Sequence, residues 1–519
     1  MSRAIVIGAG VGGLTAAMKL AHQGWQVDLY EKLDVPGGRC GRVEAGGFTW
    51  DLGPTIMLMP FVFEQAFASV GRKLSDYLEL VRCDPNYRVT FRDDSTITLT
   101  SELTRMRDEL ERLEPGSFER YLRFLAKGRD RHDTSLDRFV TKHFDSLPQF
   151  LTPSNLPHIF RIGAHQKLFT QVSKSFQDER LRQTMSFQTM YLGVSPYEAP
   201  AVFSLLPYTE LAVGIWYPMG GMGAIPRALE KVCRELGVTL HYQKPVSRIV
   251  IEQGRATGVA FADGSVEKAD VVVCNADYPW AAKHLIDQQV SSRPELEKKR
   301  YTSSGYMLYL GVKRRYDELL HHNVYFGNDF EGSFRDIFDD LKVPDDPSFY
   351  VNAPAHTDPS MAPAGKDALY VLVPVPHQAP HLDWKVEGPK VRAKVFARLA
   401  ELGLKDLERD VEVERVITPD DWARELNLER GSNFGLAQNM FQIGPFRPKV
   451  WDDRIGDLFY CGASVQPGTG VPTVMISADL CVNAITQRAS VKPTGRPTKV
   501  ALAPEVTLPA AARLEAQAP

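Results

Sequence analysis

The sequence predicts an α/β protein in which a parallel sheet is interrupted by a second, α+β domain. Two observations support this prediction. Residues 4–7 form a short, uncharged, β-branched run that passes directly into a glycine cluster, a helical stretch and a second apolar strand. The same strand-and-helix pattern returns near residues 219 and 458, after segments of different composition. Its return indicates that one domain is assembled from separate stretches of the chain.

Composition and charge exclude several classes of protein. The chain has 519 residues, of which 44% are hydrophobic and 24% charged, as in ordinary globular proteins of two or three domains. Its 61 basic and 64 acidic side chains give a net charge of −3, so no nucleic acid partner is expected. The six cysteines form no C-x-x-C pair and the Met1 end resembles no secretory signal. We therefore expect a reduced, cytoplasmic protein.

The first 31 residues predict one βαβ unit. Residues 4–7 are the first strand, residues 14–22 the helix, and residues 26–30 the second strand, with Gly24 ending the helix. Between the first strand and the helix, the three glycines of a G-x-G-x-x-G fingerprint allow a tight turn, close approach of a pyrophosphate and close helix packing. They are Gly8, Gly10 and Gly13, with Gly12 beside them.

An acidic residue completes the fingerprint. Glu31 follows Gly13 by 18 residues and ends the second strand, where its carboxylate can accept both hydroxyls of an adenosine ribose. A glycine-rich turn without function is the alternative, and the strand, the helix and the acid together argue against it. Both NAD and FAD fit these residues.

Two later features favour FAD over NAD. Gly37, Gly38 and Arg39 offer backbone room beside a dinucleotide and a guanidinium for phosphate, although a surface turn would also explain them. A strand over residues 458–461 leads into glycines and then a helix from about Thr473. A helix N-terminus aimed at a flavin would stabilise its reduced, anionic form, whereas the alternative is an ordinary helix start.

The rest of the chain predicts a series of helices and strands. Residues 103–188 are mainly helical, and the aromatic, nearly uncharged residues 191–218 predict a sheet with an apolar face. A helix over residues 225–236, strands over 238–261 and a buried strand from residue 269 follow. Residues after 487 are rich in Pro, Ala, Thr and Lys, so we expect a disordered tail.

Motifs along most of the chain resemble one family, the CrtI-type bacterial and fungal carotenoid desaturases, within the superfamily of flavin amine oxidases and desaturases. Besides the two glycine motifs near the N-terminus, they occupy residues 51–55, 214–222, 269–277, 363–376, 446–448 and 462–472. The last is the most specific. One position departs from the family, since Gln466 stands where its members commonly have histidine.

The resemblance implies a Rossmann-type FAD-binding domain built from residues 1–95, 219–300 and 415–487. Residues 96–218 and 301–414 would form an interleaved α+β domain that binds substrate and faces a membrane, and residues 488–519 the tail. The resemblance also implies which side chains and backbone groups hold FAD. These are Gly8, Gly10, Gly12, Gly13, Glu31, Lys32, Gly38, Arg39, Val246, Gly462, Ala463, Gly470, Val471 and Pro472.

For the reaction, the resemblance implies carotenoid desaturation, with phytoene as the main substrate. A hydride would pass to flavin N5, a proton would be lost, and dioxygen or a quinone would be the electron acceptor. Relatives also carry out 3,4-desaturation of later carotenoids or oxidation of terminal methyl groups, and Gln466 keeps these alternatives open. A flavin amine oxidase and a carrier without turnover are further alternatives, although the intact glycines argue against the carrier.

The substrate is expected to lie in an apolar channel. Its wall is predicted to include Tyr191, Phe203, Leu206, Trp216 and Gln466, although plain core would explain the same apolar residues. No run reaches the roughly 18–20 apolar residues of a membrane span, so membrane contact would be peripheral, at the inner face of the cell membrane. The mixed apolar and basic residues 139–176 could rest on that surface or form ordinary amphipathic helices.

One polar pair is a candidate for the proton. Asp178 and Arg182 would lie one helical turn apart, and we expect them either to accept or relay the lost proton or to form a simple ion pair. The histidines and cysteines show no zinc-ligand spacing, so no metal is expected.

Overall fold

The computed structural model describes residues 2–495, and this part of the chain is an α/β structure with two main sheets, as predicted. Its strands are β1 Arg3–Ile7, β2 Gln26–Tyr30, β3 Arg42–Ala45, β4 Phe48–Asp51, β5 Leu80–Cys83, β6 Tyr87–Thr90, β7 Thr96–Leu99, β8 Ile215–Pro218, β9 Thr239–His241, β10 Val246–Glu252, β11 Arg255–Phe261, β12 Val266–Lys268, β13 Val271–Cys274, β14 Ser304–Val312, β15 His322–Tyr325, β16 Phe349–Asn352, β17 Asp367–Val375, β18 Val411–Ile417 and β19 Leu458–Tyr460.

The helices alternate with these strands. They are α1 Val11–His22, α2 Pro60–Ala68, α3 Leu103–Leu113, α4 Ser117–Ser135, α5 Leu147–Phe150, α6 Leu156–Arg161, α7 Leu168–Ser173, α8 Glu179–Thr184, α9 Leu205–Tyr208, α10 Ala224–Glu235, α11 Tyr278–His284, α12 Phe330–Arg335, α13 Trp384–Glu401, α14 Leu407–Asp410, α15 Pro419–Leu426 and α16 Val471–Arg488. π-Helical turns over Leu136–Val140 and Thr209–Val213 continue α4 and α9. Within residues 2–495, no helix combines the length and apolarity that crossing a bilayer requires.

The first sheet is parallel and carries the glycine fingerprint. Its strand order is β19-β13-β1-β2-β9, with β1 in register between β2 and β13. The last four residues of β1 are buried, which explains why the sequence shows an uninterrupted apolar run there. Helices α1, α10 and α16 pack on this sheet. The predicted βαβ unit is present, and strands β13 and β19 from later in the chain join the same sheet.

The second sheet is mixed and seven-stranded, in the order β18-β14-β17-β16-β15-β6-β7. The long strands β14 and β17 pair antiparallel over nine residues and are almost wholly buried. Helix α13 packs against one face, and the other faces a cavity shared with the first sheet. Strand β6 pairs with β15, although it lies within the first of the stretches predicted for the FAD domain.

The segment 191–218 differs from its prediction. It contains 3₁₀ turns over Phe187–Leu192 and Ala201–Ser204, helix α9 and a π-helical turn, and only β8 is extended. The expectation of a sheet was wrong because apolar composition does not distinguish a buried strand from a buried helix. Pro196, Pro200 and Pro207 also lack the N–H that a central strand would donate.

The described residues of the predicted tail, 488–495, are ordered, contrary to the expectation. Arg488 ends α16, and the residues after it return to the first sheet, where Gly495 N donates to Gly24 O at 3.1 Å and Ser2 N donates to Thr494 Oγ1 at 2.9 Å. Residues 496–519, where the rest of the predicted tail falls, lie outside the described residues.

Candidate cofactor and substrate site

One cavity of about 650 Å³ runs from the glycine fingerprint to the second sheet. Its cofactor end is lined by the loop after β1, the end of β2 and the segment between β19 and α16. Its other end is lined by α4, α9, β14 and β17, mostly with apolar side chains. The cavity therefore joins a nucleotide-type site to a long apolar compartment.

The glycine fingerprint has the geometry that a dinucleotide needs. Gly8 has a φ of +97°, which favours glycine, and a Cβ on Gly13 would lie 2.0 Å from the carbonyl oxygen of Gly8. Gly10 precedes α1 without a side-chain cap, so the first N–H groups of the helix, from Val11, are open to a phosphate. Gly10 and Gly12 both line the cavity.

Glu31 lies where the sequence predicted it, at the end of β2 and in the cavity wall. Its Oε2 accepts a hydrogen bond from Ala9 N at 2.7 Å, and its Oε1 accepts one from Leu33 N at 2.9 Å. Each oxygen keeps a lone pair for a ribose hydroxyl. Lys32 and Val246 line the same end, and burial lowers the pKa of Lys32.

Arg39 is a half-buried cation at this end of the cavity. It follows Gly38, and its Nη1 donates to Asn433 O at 3.0 Å. Burial lowers its pKa, while the nearby Asp277 carboxylate acts in the opposite direction. Asp277 itself accepts from Ser464 Oγ at 2.8 Å and from Glu429 N at 3.2 Å. Asp277 links Arg39 electrostatically to the segment after β19.

The segment before α16 forms the opposite wall of the cofactor end. Gly462, Ala463, Gly470, Val471 and Pro472 all line the cavity. Helix α16 begins at Val471 and has no side-chain cap, so its open N–H groups favour an anionic ligand.

A buried arginine fixes this wall. Arg447 donates hydrogen bonds to the carbonyl oxygens of Val465, Ala437, Gln442, Leu436 and Ala463. The sequence analysis noted its motif but not this role. Together, these features fit a dinucleotide with an anionic group near the start of α16.

Gln466 lies in the cavity wall as predicted, but its amide is already engaged. Its Oε1 accepts from Phe144 N at 3.2 Å, and its Nε2 donates to Phe144 O and Gly444 O, each at 3.1 Å. It therefore ties the segment after β19 to the segment that precedes α5. We assign Gln466 a positioning role.

The predicted channel wall is mostly correct in its position. Tyr191, Phe203 and Leu206 line the apolar part of the cavity. Trp216 is not among the lining residues and packs against the core of the first sheet, with Nε1 donating to Val213 O at 3.4 Å. A strand at this position turns the indole away from the cavity.

Asp178 and Arg182 lie one helical turn apart, as predicted, with Arg182 N donating to Asp178 O at 3.1 Å, but their side chains pair with other residues. Asp178 caps α8 and binds the guanidinium of Arg180 at 2.7 Å, which lowers the pKa of Asp178. Arg182 donates to Phe176 O and lies beside Glu179. Neither Asp178 nor Arg182 lines the cavity.

Two polar groups at the apolar end were missed by the sequence analysis. His132 and Ser135, on the last turn of α4, line the cavity and are 7% and 4% exposed. The His132 Nε2 and Ser135 Oγ atoms are buried without a hydrogen-bond partner. The i, i+3 spacing places them on one face, but nothing in the sequence shows that this face meets a cavity.

A buried carboxyl lies behind the wall. Glu210 Oε2 accepts from Tyr87 Oη at 2.8 Å, and burial raises the pKa of Glu210 to about 8. Glu210 is therefore protonated at neutral pH. The cavity-lining Tyr191 lies next to it, and burial and this carboxyl hold the Tyr191 pKa well above its usual value.

A cysteine and two histidines meet elsewhere, behind Tyr350. The ligand atoms of Cys83, His321 and His322 lie within 4.8 Å of one another, and all three residues are buried. His322 Nδ1 is 2.6 Å from Tyr350 Oη, and burial keeps both imidazoles neutral by lowering their pKa values. No metal was predicted from the sequence, where spacing could not reveal this cluster because Cys83 lies far along the chain from the adjacent His321 and His322.

Comparison with known proteins agrees with this geometry. A family model described as flavin containing amine oxidoreductase matches residues 11–486. The chain is 63% identical over 479 residues to a zeta-carotene-forming phytoene desaturase of Myxococcus xanthus, with 92% of each chain covered. It is 36% identical over 511 residues to an all-trans-zeta-carotene desaturase of the same organism, with 96% of each covered.

Solved structures share the fold. An oxidoreductase of Methanosarcina mazei superposes with a TM-score of 0.60 at 19% identity, covering 94% of this chain and 100% of that one. At this identity, the likeness supports the architecture alone.

Proposed function

We propose that this chain, which belongs to the flavin containing amine oxidoreductase family and within it to the carotenoid desaturases, binds FAD and desaturates phytoene to zeta-carotene. The observation that carries the proposal is the single cavity that joins the dinucleotide site to a long apolar compartment. The choice of product rests on the difference between 63% identity to a zeta-carotene-forming enzyme and 36% identity to one that acts on zeta-carotene.

The flavin supplies the hydride acceptor when it is bound. Glu31 would hold the ribose, the N-terminus of α1 the pyrophosphate, and the N-terminus of α16 the flavin ring. The apolar wall with Tyr191 and Phe203 would hold the polyene and exclude water. These residues orient the substrate and leave the redox chemistry to the cofactor.

An amine oxidase is the second candidate, and the cavity argues against it. An amine substrate needs a carboxylate or an aromatic cage beside the flavin. Among the described residues, Glu31 and Asp277 are the carboxylates that line the cavity, and both lie at the cofactor end with hydrogen bonds already made. A hydrocarbon fits the remaining wall better.

The substrate would enter from a membrane. Exposed apolar side chains surround one end of the cavity, on α5, on α6 and on the turn after Asn439. They are Leu147, Leu151, Leu156, Phe160, Met440, Phe441 and Phe446. Phe160 and Phe441 are 64% and 74% exposed, and Phe150 of α5 packs near Gly444, so the two segments form one surface, the apolar rim. Lys142 lines the cavity nearby.

We infer that the apolar rim inserts into the cytoplasmic face of the cell membrane, where phytoene is dissolved and where a quinone can accept electrons as an alternative to dioxygen. The surface combines residues from the predicted segment 139–176 with residues 440–446, which the sequence analysis had not included.

Reconstitution tests the function directly. FAD-loaded protein is incubated with phytoene in vesicles of phosphatidylcholine and phosphatidylglycerol, and the products are separated by chromatography. Accumulation of zeta-carotene supports the proposal. No conversion of phytoene, but conversion of lycopene or a 1-hydroxylated carotenoid, would instead indicate the later-pathway alternative.

Vesicle flotation tests the membrane surface. We expect Phe160→Asp and Phe441→Asp each to reduce vesicle binding at least tenfold, because each places a charge among lipid chains. The control Leu103→Asp changes a leucine that is 54% exposed on α3, away from the apolar rim. Equal loss of binding in all three variants would contradict the assignment.

A further inference from the structure

We propose that His132 accepts the proton that the substrate loses, through its Nε2 atom. The inference rests on the proposed function and extends it, because desaturation needs an acceptor for a proton as well as for a hydride. No candidate for the proton was placed at the cavity by the sequence analysis, since Asp178 lies outside the wall.

The tautomer of His132 follows from its neighbour. His132 Nδ1 lies 2.9 Å from Asp133 Oδ1. Hydrogen bonding to His132 lowers the pKa of Asp133, with a further contribution from Arg129, so the carboxylate is ionised at neutral pH. An ionised carboxylate can only accept, and Nδ1 must therefore carry the hydrogen. The lone pair of the neutral ring is then on Nε2.

His132 belongs to the wall of the apolar compartment. His132 lines the cavity and is 7% exposed, and Nε2 is buried without a hydrogen-bond partner. Phe61 and Tyr208 pack against the ring, with centroids at 6.2 Å and 5.5 Å, so its orientation is held by packing. A basic nitrogen that is fixed by packing, unpartnered and in the wall of a hydrocarbon compartment is suited to proton transfer.

The other candidates along the wall are already occupied or protonated. Within residues 2–495, the cavity is lined by two carboxylates, those of Glu31 and Asp277, and by one histidine, His132. Glu31 and Asp277 accept hydrogen bonds at the cofactor end. Glu210 lies behind the wall and is protonated at neutral pH, since its pKa is raised to about 8.

The step balances in atoms and electrons. Two C–H bonds on adjacent saturated carbons break and one C=C bond forms. One hydrogen leaves with its electron pair to the bound flavin, which is the oxidant, and the other leaves as a proton and forms an N–H bond at His132 Nε2. Asp133 stabilises the resulting imidazolium, and its side chain is 53% exposed, so the proton can pass to water after turnover.

The test compares His132→Gln and His132→Ala with the control His381→Gln, an exposed histidine whose Nε2 contacts Leu341 O. We expect the two His132 variants to retain FAD, judged by flavin absorbance, and to reduce flavin in a single anaerobic turnover at least about 100-fold more slowly. Added imidazole should restore part of the rate of His132→Ala only. The control should match the wild type.

Rescue of His132→Ala by imidazole is a readout that a purely structural role of His132 would not give. Asp133, Arg129 and Tyr208 are the charged and titratable groups that face the imidazole, and Asp133→Asn should slow reduction by disturbing the tautomer.

The outcomes separate the two proposals. If the wild type is active, His132→Gln is equally active and imidazole gives no rescue, the role of His132 is overturned and the proposed function stays intact. Wild type that converts none of the tested carotenoids would overturn both. Slow His132 variants that retain full FAD, together with rescue of His132→Ala by imidazole, support the assignment.

Discussion

Replacing Glu210 by glutamine should make the stability of the fold less sensitive to pH. Glu210 is fully buried behind the cavity wall, and burial raises its pKa from 4.5 to about 8. Between these values, the folded chain keeps a proton that the unfolded chain has released. The free energy of unfolding therefore falls as pH rises through this window, because ionising the unfolded chain favours it.

The magnitude follows from the two pKa values. Each pH unit between them changes the free energy of unfolding by about 1.4 kcal/mol. Between pH 5 and pH 8 the wild type should therefore lose about 3 to 4 kcal/mol through Glu210 alone. Glu210→Gln cannot ionise, and its amide oxygen can still accept the hydrogen bond from Tyr87 Oη. The free energy of unfolding of the variant should therefore not show this decrease between pH 5 and pH 8.

Urea unfolding at pH 5 and pH 8, followed by circular dichroism with saturating FAD, measures the difference between the two proteins. We expect the stability of Glu210→Gln relative to the wild type to improve by about 3 to 4 kcal/mol between these pH values. The control Glu119→Gln, at an 81% exposed side chain on α4, should change by no more than about 0.5 kcal/mol. A relative stability of Glu210→Gln that is the same at both pH values would refute the reasoning.

Three further predictions concern the cofactor end. Gly13→Ala should lose bound flavin because its Cβ would lie 2.0 Å from Gly8 O. The control Gly456→Ala, whose Cβ would have its nearest neighbour at 3.4 Å, should retain flavin. Equal flavin absorbance of the two variants would contradict this prediction. Glu31→Gln should weaken FAD binding about 10- to 100-fold in equilibrium dialysis, as expected for losing a charged hydrogen-bond acceptor. Arg447→Lys should lower the free energy of unfolding by about 3 kcal/mol or more, because a single ammonium cannot satisfy five buried carbonyls; an unchanged urea midpoint would exclude that role.

The cofactor end could be predicted from sequence because its signals are local. The strand, the glycine turn, the helix and Glu31 all lie within 31 residues, and each glycine has a steric reason for its place. The segment 462–472 is also contiguous, and it was recognised by resemblance. In the structure, Gly8, Gly10, Gly12, Glu31 and most of the segment 462–472 line the cavity, whereas Gly13 does not.

The substrate end could not be predicted in the same way because its geometry depends on distant contacts. Gln466 is engaged by Phe144, which is 322 residues away, and Trp216 is turned from the cavity by the strand that contains it. The apolar residues before β8 have neither a helical nor a strand period, so composition indicated burial without indicating the element. The apolar rim likewise joins residues 147–160 to residues 440–446.

Two ionisable groups near the apolar wall have different surroundings. Glu210 is isolated from water and holds its proton, whereas His132 donates from Nδ1 to the exposed Asp133 and keeps a free lone pair on Nε2. Each lies in or beside one of the π-helical turns, which are frequent at functional sites. An uncharged wall suits a hydrocarbon, and a buried nitrogen without a partner is costly unless it is used. The position of His132 is therefore better explained by proton transfer than by packing.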